Sequence, residues 1–214
     1  MKKYKLFIFD LDGVIFNTKS NMRESWKFTK KKYNLTIPFS SYFSLIGAPF
    51  KIILQKLGIK NNLNEITQTY SEISRKKSYL VKIYPDVKNV LKQLSKVSKV
   101  AVVTSKDKKR TKIFIKKFGL KFDAISCPQK GLKGKPKPDQ ILKIIKKLSF
   151  KKKDCVYIGD MFVDLLTARN AKIDFILANY GYETKSVMKV IKINKFKDLI
   201  KYKTSQNSKD INQI

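Results

Sequence analysis

Five short apolar runs, rich in β-branched and aromatic residues, each stop at a polar or turn residue. They are Lys5 to Phe9, Val100 to Val103, Asp123 to Ser126, Cys155 to Ile158 and Phe175 to Ala178. Runs this short fit strands buried on both faces. Helical periodicity lies between several of them. Val87, Val90, Leu91 and Leu94 fall at i, i+3, i+4 and i+7 after Tyr84-Pro85-Asp86, and Ile141, Ile144, Ile145 and Leu148 repeat the spacing after Pro138-Asp139. Proline is favoured at a helix start, where its missing N–H needs no partner. Strands alternating with helices predict an α/β chain with a parallel sheet covered on both faces.

About ninety residues separate the first strand from the second, far more than one crossover helix requires. Within that stretch Ser20 to Lys32, Phe50 to Leu57 and Asn64 to Tyr79 read as helices with no strand between them, punctuated by Gly47-Ala48-Pro49 and Gly58. The expected organisation is therefore a discontinuous core, residues 1–16 and 83–203, with a helical insert at 17–82. The polar, aperiodic tail 204–214 is expected to be disordered.

No run reaches the roughly 18–20 apolar residues of a membrane helix. Asp10 and Asp12 cut the first apolar run too short for a signal sequence, so a cytoplasmic protein is expected. Cys127 and Cys155 form no CxxC pair, and with no His in the chain a zinc site is not expected. The net charge of +32 invites a nucleic-acid reading. Yet four of the 48 basic residues are Arg (Arg23, Arg75, Arg110, Arg169), and the lysines spread over every segment. Recognition of bases and phosphates favours the bidentate Arg fork, so a solvated lysine surface is the better reading and nucleic acid is not the expected partner.

The first strand ends in Asp10-Leu11-Asp12-Gly13, where Gly13 points to a turn that leaves both carboxylates at the strand's C-terminal edge. The second ends in Thr104-Ser105 and the fourth in Gly159-Asp160. Asp164 follows one helical turn later, and Lys135 sits in Gly134-Lys135-Pro136-Lys137-Pro138. Taken singly, each has a plain reading: Thr104-Ser105 as a helix cap, Lys135 as one solvated lysine among many, Asp160 and Asp164 as a cap and a first-turn acid. Taken together they converge on one place, because open parallel sheets bind ligands outside the carboxyl ends of their strands. Carboxylates this close need a cation or a shared proton. Oxygen donors without His or thiolate select a hard ion, and Mg2+ suits phosphate chemistry. Acids, a hydroxyl, a lysine and a metal are the parts that stabilise a transferring phosphoryl group.

Asp10-Leu11-Asp12-Gly13-Val14, Val102-Val103-Thr104-Ser105, Gly134-Lys135-Pro136-Lys137-Pro138-Asp139 and Ile158-Gly159-Asp160-Met161-Phe162-Val163-Asp164 resemble, in order, the four motifs of the haloacid dehalogenase superfamily. The likeness runs from about residue 4 to 200 and implies a Rossmann-like core. The insert resembles the subfamily with an α-helical cap, which includes phosphoglycolate phosphatases and β-phosphoglucomutase; Ile46-Gly47-Ala48-Pro49 looks like the former's cap loop. By that resemblance Asp10 is the nucleophile of an aspartyl-phosphate mechanism, and Asp12 protonates the leaving group and then activates water. Thr104, Ser105 and Lys135 bind the phosphoryl group, Lys137 being the rival for the lysine role. Asp10, the Asp12 backbone carbonyl, Asp160 and Asp164 hold Mg2+.

Asp12 argues against the dehalogenases proper, whose halide needs no proton. Trp26 and Lys27 match β-phosphoglucomutase, but Met22 stands where that enzyme has its hinge His, so mutase chemistry is the alternative and not the expectation. Lys51 is a poor match to the Schiff-base lysine of phosphonoacetaldehyde hydrolase. Asn17 replaces an Asp common in relatives, and the helix after Asp164, running Thr167-Ala168-Arg169-Asn170-Ala171-Lys172, lacks the Gly usual before the next strand. A receiver-like signalling domain orders its acids differently and lacks the insert, and a basic nucleic-acid-associated protein that kept only the fold should have lost part of this set. The expected activity is phosphoric monoester hydrolysis of a small phosphorylated metabolite of phosphoglycolate or sugar-phosphate type. Tyr42, Phe43, Phe50, Arg23 and Lys51 are candidates for the specificity pocket. The sequence does not give the oligomeric state.

Overall fold

A computed structural model describes residues 1–183 and 189–204 of the chain. In chain order the elements are β1 (Leu6–Phe9), β2 (Phe16–Asn17), α1 (Lys19–Lys32), α2 (Phe39–Phe43), α3 (Phe50–Lys56), α4 (Leu63–Lys76) and β3 (Lys82–Ile83). Then follow α5 (Val87–Leu94), β4 (Lys99–Val103), α6 (Lys108–Lys117), β5 (Ala124–Ser126), α7 (Asp139–Lys147), β6 (Cys155–Gly159), α8 (Phe162–Ala171), β7 (Asp174–Ala178) and β8 (Ile191–Ile193). A final 3₁₀ helix covers Phe196–Tyr202.

The main sheet has six parallel strands in the order β5-β4-β1-β6-β7-β8. β1 lies at its centre, all four residues buried, with Leu6 opposite Lys99 on one side and Cys155 on the other. Side chains alternate between the faces with the period of two a strand imposes. Phe7 and Phe9 join Val100 and Val102 against Val90 and Leu94 of α5 and Leu199 of the final helix. Leu6 and Ile8 join Ala101 and Val103 against Ile141 and Ile144 of α7 and Leu165 and Ala168 of α8. This two-sided burial is why the strands read as unbroken apolar runs. β8 escaped that reading because two of its three residues are exposed, as at a sheet edge.

Helices α1 to α4 pack on one another around a separate cluster. Trp26 stacks on Tyr42 at 4.8 Å and donates its Nε1–H to the Ile37 carbonyl, and Tyr70 stacks on Phe50 at 4.3 Å. Asn21 of α1 donates to the Ser74 and Lys77 carbonyls and accepts from Ser74 Oγ, pinning α1 to the end of α4. The chain leaves the sheet and returns to it through one antiparallel ribbon, Phe16 opposite Ile83 and Asn17 opposite Lys82. Lys172 takes the left-handed conformation (φ 57°), which explains why a Gly is at home there. Among the described residues no helix is long and apolar enough to cross a membrane. Both cysteines are buried free thiols. Of the tail, only Thr204 falls within the described residues; its hydroxyl donates to the Val97 carbonyl.

Candidate active site

Three of the four expected acids, Asp10, Asp160 and Asp164, meet beyond the C-terminal ends of β1 and β6. Asp10 follows β1 directly, its backbone N–H still donating to the Ile158 carbonyl of β6. The chain then turns at Gly13 (φ +84°), where Ile15 and Phe16 both donate to the Leu11 carbonyl. A Cβ at Gly13 would overlap the Asp160 carboxylate, so the close approach of this turn to Asp160 requires glycine.

Asp164 lies in the first turn of α8. Its Oδ2 accepts the backbone N–H groups of Asp160 and Met161, each at 3.2 Å. An anion is favoured at a helix N-terminus, so Asp164 is both helix cap and site acid. Its Oδ1 accepts from Lys135 Nζ at 2.7 Å and from the Tyr157 hydroxyl at 3.1 Å. Lys135 is 3% exposed and also pairs with Asp10 at 2.9 Å. Lys137, the rival lysine, is exposed. Asp160 accepts the Tyr182 N–H at 2.7 Å on Oδ2, whereas its buried Oδ1 has no partner.

Oxygens of Asp10, Asp160 and Asp164 come within 4.8 Å of one another. Burial, foremost, pushes the Asp10 carboxyl up to about 7; Lys135 pulls against it, and the charges of Asp164 and Asp12 add to it. Burial, then the charges of Asp164 and Asp10, holds Asp160 well above the usual carboxylate range. Burial alone would depress Lys135, but Asp10 and Asp164 outweigh it and hold its ammonium above the ordinary value. An orphaned buried carboxylate oxygen beside two more carboxylates, with no nitrogen or sulfur donor in the cluster, fits a hard divalent cation such as Mg2+.

The Asp12 carboxylate belongs to a different set of partners. It accepts from Thr18 Oγ1 at 2.8 Å and pairs with Lys106 Nζ at 2.9 Å, outside the cation cluster. Of Asp12, then, only the backbone is a candidate for metal binding. Thr104 at the end of β4 is buried, and its Oγ1 accepts the Lys106 N–H, which leaves the hydroxyl proton to be donated. The cap of α6 is Asp107 instead, accepting from the Arg110 N–H. Ser105 donates its hydroxyl to the Gly47 carbonyl at 2.6 Å, tying the loop before α3 to the sheet edge.

Residues 7–178 match the Haloacid dehalogenase-like hydrolase family. The chain belongs to that family. The PpaX protein of Caldanaerobacter subterraneus subsp. tengcongensis is 30% identical over 84% of this chain and 83% of its own length. Phosphoglycolate phosphatase of Aquifex aeolicus is 27% identical over 83% and 86%. A protein of Lactobacillus plantarum of known structure superposes with a TM-score of 0.84 at 19% identity, over 94% of this chain and 99% of its own. At that identity the likeness bears on the fold alone.

Between the haloacid dehalogenase-like sheet edge and α1 to α4 lies a cavity of about 60 Å³. Asp10, Asp12, Thr104 and Ser105 line one side, and Met22, Tyr42, Phe50 and Tyr70 the other. Of the specificity candidates, Tyr42 and Phe50 line it. Phe43 lines an adjoining cleft, Arg23 stacks on Phe39, and Lys51 lines neither. Sequence reasoning missed Lys106, Arg110, Tyr70 and Tyr182. Lys106 stands directly after Thr104-Ser105, a signal hidden by the abundance of lysine. Tyr70 and Tyr182 carry no local signal, since packing across the cavity brings them in.

Proposed function

We propose that the chain is a Mg2+-dependent phosphatase of small phosphate esters, working through an aspartyl-phosphate on Asp10. The observation that carries the reading is the separation of the two aspartates of Asp10-Leu11-Asp12. Asp10 is held by Lys135 beside Asp160 and Asp164, while Asp12 turns to Thr18 and Lys106. The separation supports a division of roles, Asp10 as nucleophile and Asp12 as proton carrier. The relatives support the reaction class: besides those above, Pyrophosphatase PpaX of Halalkalibacterium halodurans is 28% identical over 81% of this chain and Fructose-1-phosphate phosphatase YqaB of Escherichia coli 24% over 82%.

In this reading an Asp10 oxygen attacks phosphorus, the bond to the leaving oxygen breaks, and Asp12 gives that oxygen its proton. A water then attacks the phosphorus and Asp12 takes its proton back, releasing phosphate and free Asp10. Thr104 Oγ1 and the Ser105 backbone hold the phosphoryl oxygens, and Lys135 offsets their charge. Asp10, Asp160, Asp164 and the Asp12 carbonyl are the groups that would hold Mg2+, which supplies charge neutralisation at the phosphoryl oxygens. Residues 17–82 act as a cap that closes over the site and excludes water. Met22 at the cavity wall cannot move a proton as a His would, which disfavours the mutase alternative.

The test is phosphate release from a panel of small esters, with Mg2+ and with EDTA, for the wild type and Asp10→Asn. Metal-dependent turnover lost in the variant supports the reading. A folded wild type inert on every ester overturns it.

A further inference from the structure

We infer that Lys106 is a positioning residue: its ammonium holds the Asp12 carboxylate where that group meets first the leaving oxygen and then the attacking water. This rests on the phosphatase reading and adds to it the residue that aims the proton carrier.

Burial singles Lys106 out. Among the described residues, Lys106 and Lys135 are the only buried lysines, 5% and 3% exposed. A lysine-rich surface therefore does not account for either. Taking an ammonium out of water costs free energy that an ion pair returns only in part, and an apolar chain of similar length would serve packing as well. The two buried lysines also divide the aspartates of Asp10-Leu11-Asp12 between them. Lys135 pairs with Asp10, and Lys106 with Asp12.

The contacts fix an orientation. Asp12 Oδ1 accepts from the Thr18 hydroxyl at 2.8 Å, and Oδ2 pairs with Lys106 Nζ at 2.9 Å. One anchor on each oxygen stops the carboxylate from turning about its Cβ–Cγ bond. Each oxygen keeps further lone-pair sites for a proton, and Asp12 lines the cavity beside Asp10 and Thr104. The anchors come from opposite sides, Thr18 just before α1 and Lys106 between β4 and α6. Of the two, the charge-assisted bond is the stronger. The Lys106 ammonium is itself steadied over the Phe114 ring at 5.0 Å. The Lys106 backbone N–H makes a separate bond, to Thr104 Oγ1 at 3.1 Å. A side-chain variant keeps that bond, so the hold on Asp12 can be tested apart from the hold on the phosphoryl group.

Asp12 acts in both steps. When an alkyl ester reacts, the P–O bond to the alkoxide breaks and Asp12 supplies its proton, whereas p-nitrophenolate leaves without one. In the second step water attacks phosphorus and Asp12 takes the proton, whichever ester came first. Loosening Asp12 should therefore slow both steps for an alkyl ester and only the second for p-nitrophenyl phosphate.

Rapid-quench kinetics with Mg2+ compare the wild type with Lys106→Met and Lys106→Arg. The substrates are p-nitrophenyl phosphate and the alkyl ester that the wild type turns over fastest. In Lys106→Met, phosphorylation of the enzyme by the alkyl ester should slow by roughly 10–100-fold, the worth of one charge-assisted hydrogen bond. Phosphorylation by p-nitrophenyl phosphate should keep its wild-type rate and its half-saturating concentration. Breakdown of the phosphoenzyme should slow as much as the alkyl reaction does, so that p-nitrophenol appears in a burst of one per active site. Lys106→Arg should recover part of both losses. The burst amplitude counts active enzyme, so the comparison does not depend on how much of the variant is folded. Equal losses on both esters, as a phosphate ligand or damaged packing would give, overturn the positioning role. So does phosphoenzyme breakdown or alkyl-ester reaction at the wild-type rate in Lys106→Met. Each of these leaves the phosphatase reading intact, whereas a wild type inert on every ester overturns both.

Discussion

Replacing Lys135 by Met removes the buried cation between Asp10 and Asp164 while keeping most of the side-chain volume. Its ammonium is 2.9 Å from one carboxylate and 2.7 Å from the other, in a residue 3% exposed. Removing one partner of a buried ion pair costs about 3–5 kcal/mol, because the charge left behind has neither water nor a partner. For a chain of this length that corresponds to a fall in Tm of roughly 6–20 °C. The structure also sets the pH dependence. Burial already lifts Asp10 to about 7, and removing Lys135 lifts it further, so the variant carries a proton there at pH 8 that the wild type lacks. One extra bound proton makes the deficit shrink by about 1.4 kcal/mol per pH unit as pH falls from 8 to 7. Below pH 7 the wild type takes up the same proton and the deficit levels off. Urea unfolding of both proteins in EDTA at pH 6, 7 and 8 measures this, and added NaCl should alter it little because the pair is dry. A deficit under about 1 kcal/mol at pH 8, or one that does not change with pH, would refute the picture of Lys135 as the counter-ion of two buried carboxylates.

In EDTA the wild type itself should lose stability as pH rises from about 4 to 7. Asp10 in the fold binds its proton more tightly than an unfolded carboxyl near 3.8, so the folded state holds more protons across that window. The Tm gained on adding Mg2+ should accordingly be larger at pH 8 than at pH 5, as differential scanning fluorimetry would show. Tyr182→Phe removes a hydroxyl 2.6 Å from Thr18 N and 2.9 Å from Thr18 Oγ1, the group that holds Asp12. It should lower kcat/KM by about 2–10-fold for an alkyl ester and less for p-nitrophenyl phosphate, whose leaving group needs no proton; equal losses would count against it. Trp26→Ala, at a residue 1% exposed and stacked on Tyr42, should cost about 3–5 kcal/mol in urea unfolding.

The central strands and the polar residues at their C-terminal edge were legible in the sequence because both obey local rules. Leu6 to Phe9 are apolar because each faces a covered side of the sheet, and Asp10, Asp160 and Thr104 sit where those runs stop. The ribbon of β2 and β3 was not legible: two residues a side give no period, and Phe16 and Ile83 pair across more than sixty positions of sequence. α2 is five residues long, too short to show helical periodicity. Lys106 and Arg110 were hidden for opposite reasons. One was camouflaged by composition, and the other reads as an ordinary surface charge until Tyr70 closes over it.

That ribbon bears on how the chain reaches its fold. β1 must find β4, its neighbour in the sheet, across about ninety intervening residues, and the entropy of closing a loop grows with the logarithm of its length. Once α1 to α4 have condensed, Phe16 and Ile83 are held side by side, and the free chain left between β1 and β4 is roughly fourfold shorter. The search for that pairing is thereby eased by about 1 kcal/mol. The helices that shape the pocket thus also serve as a clip for the assembly of the sheet beneath them.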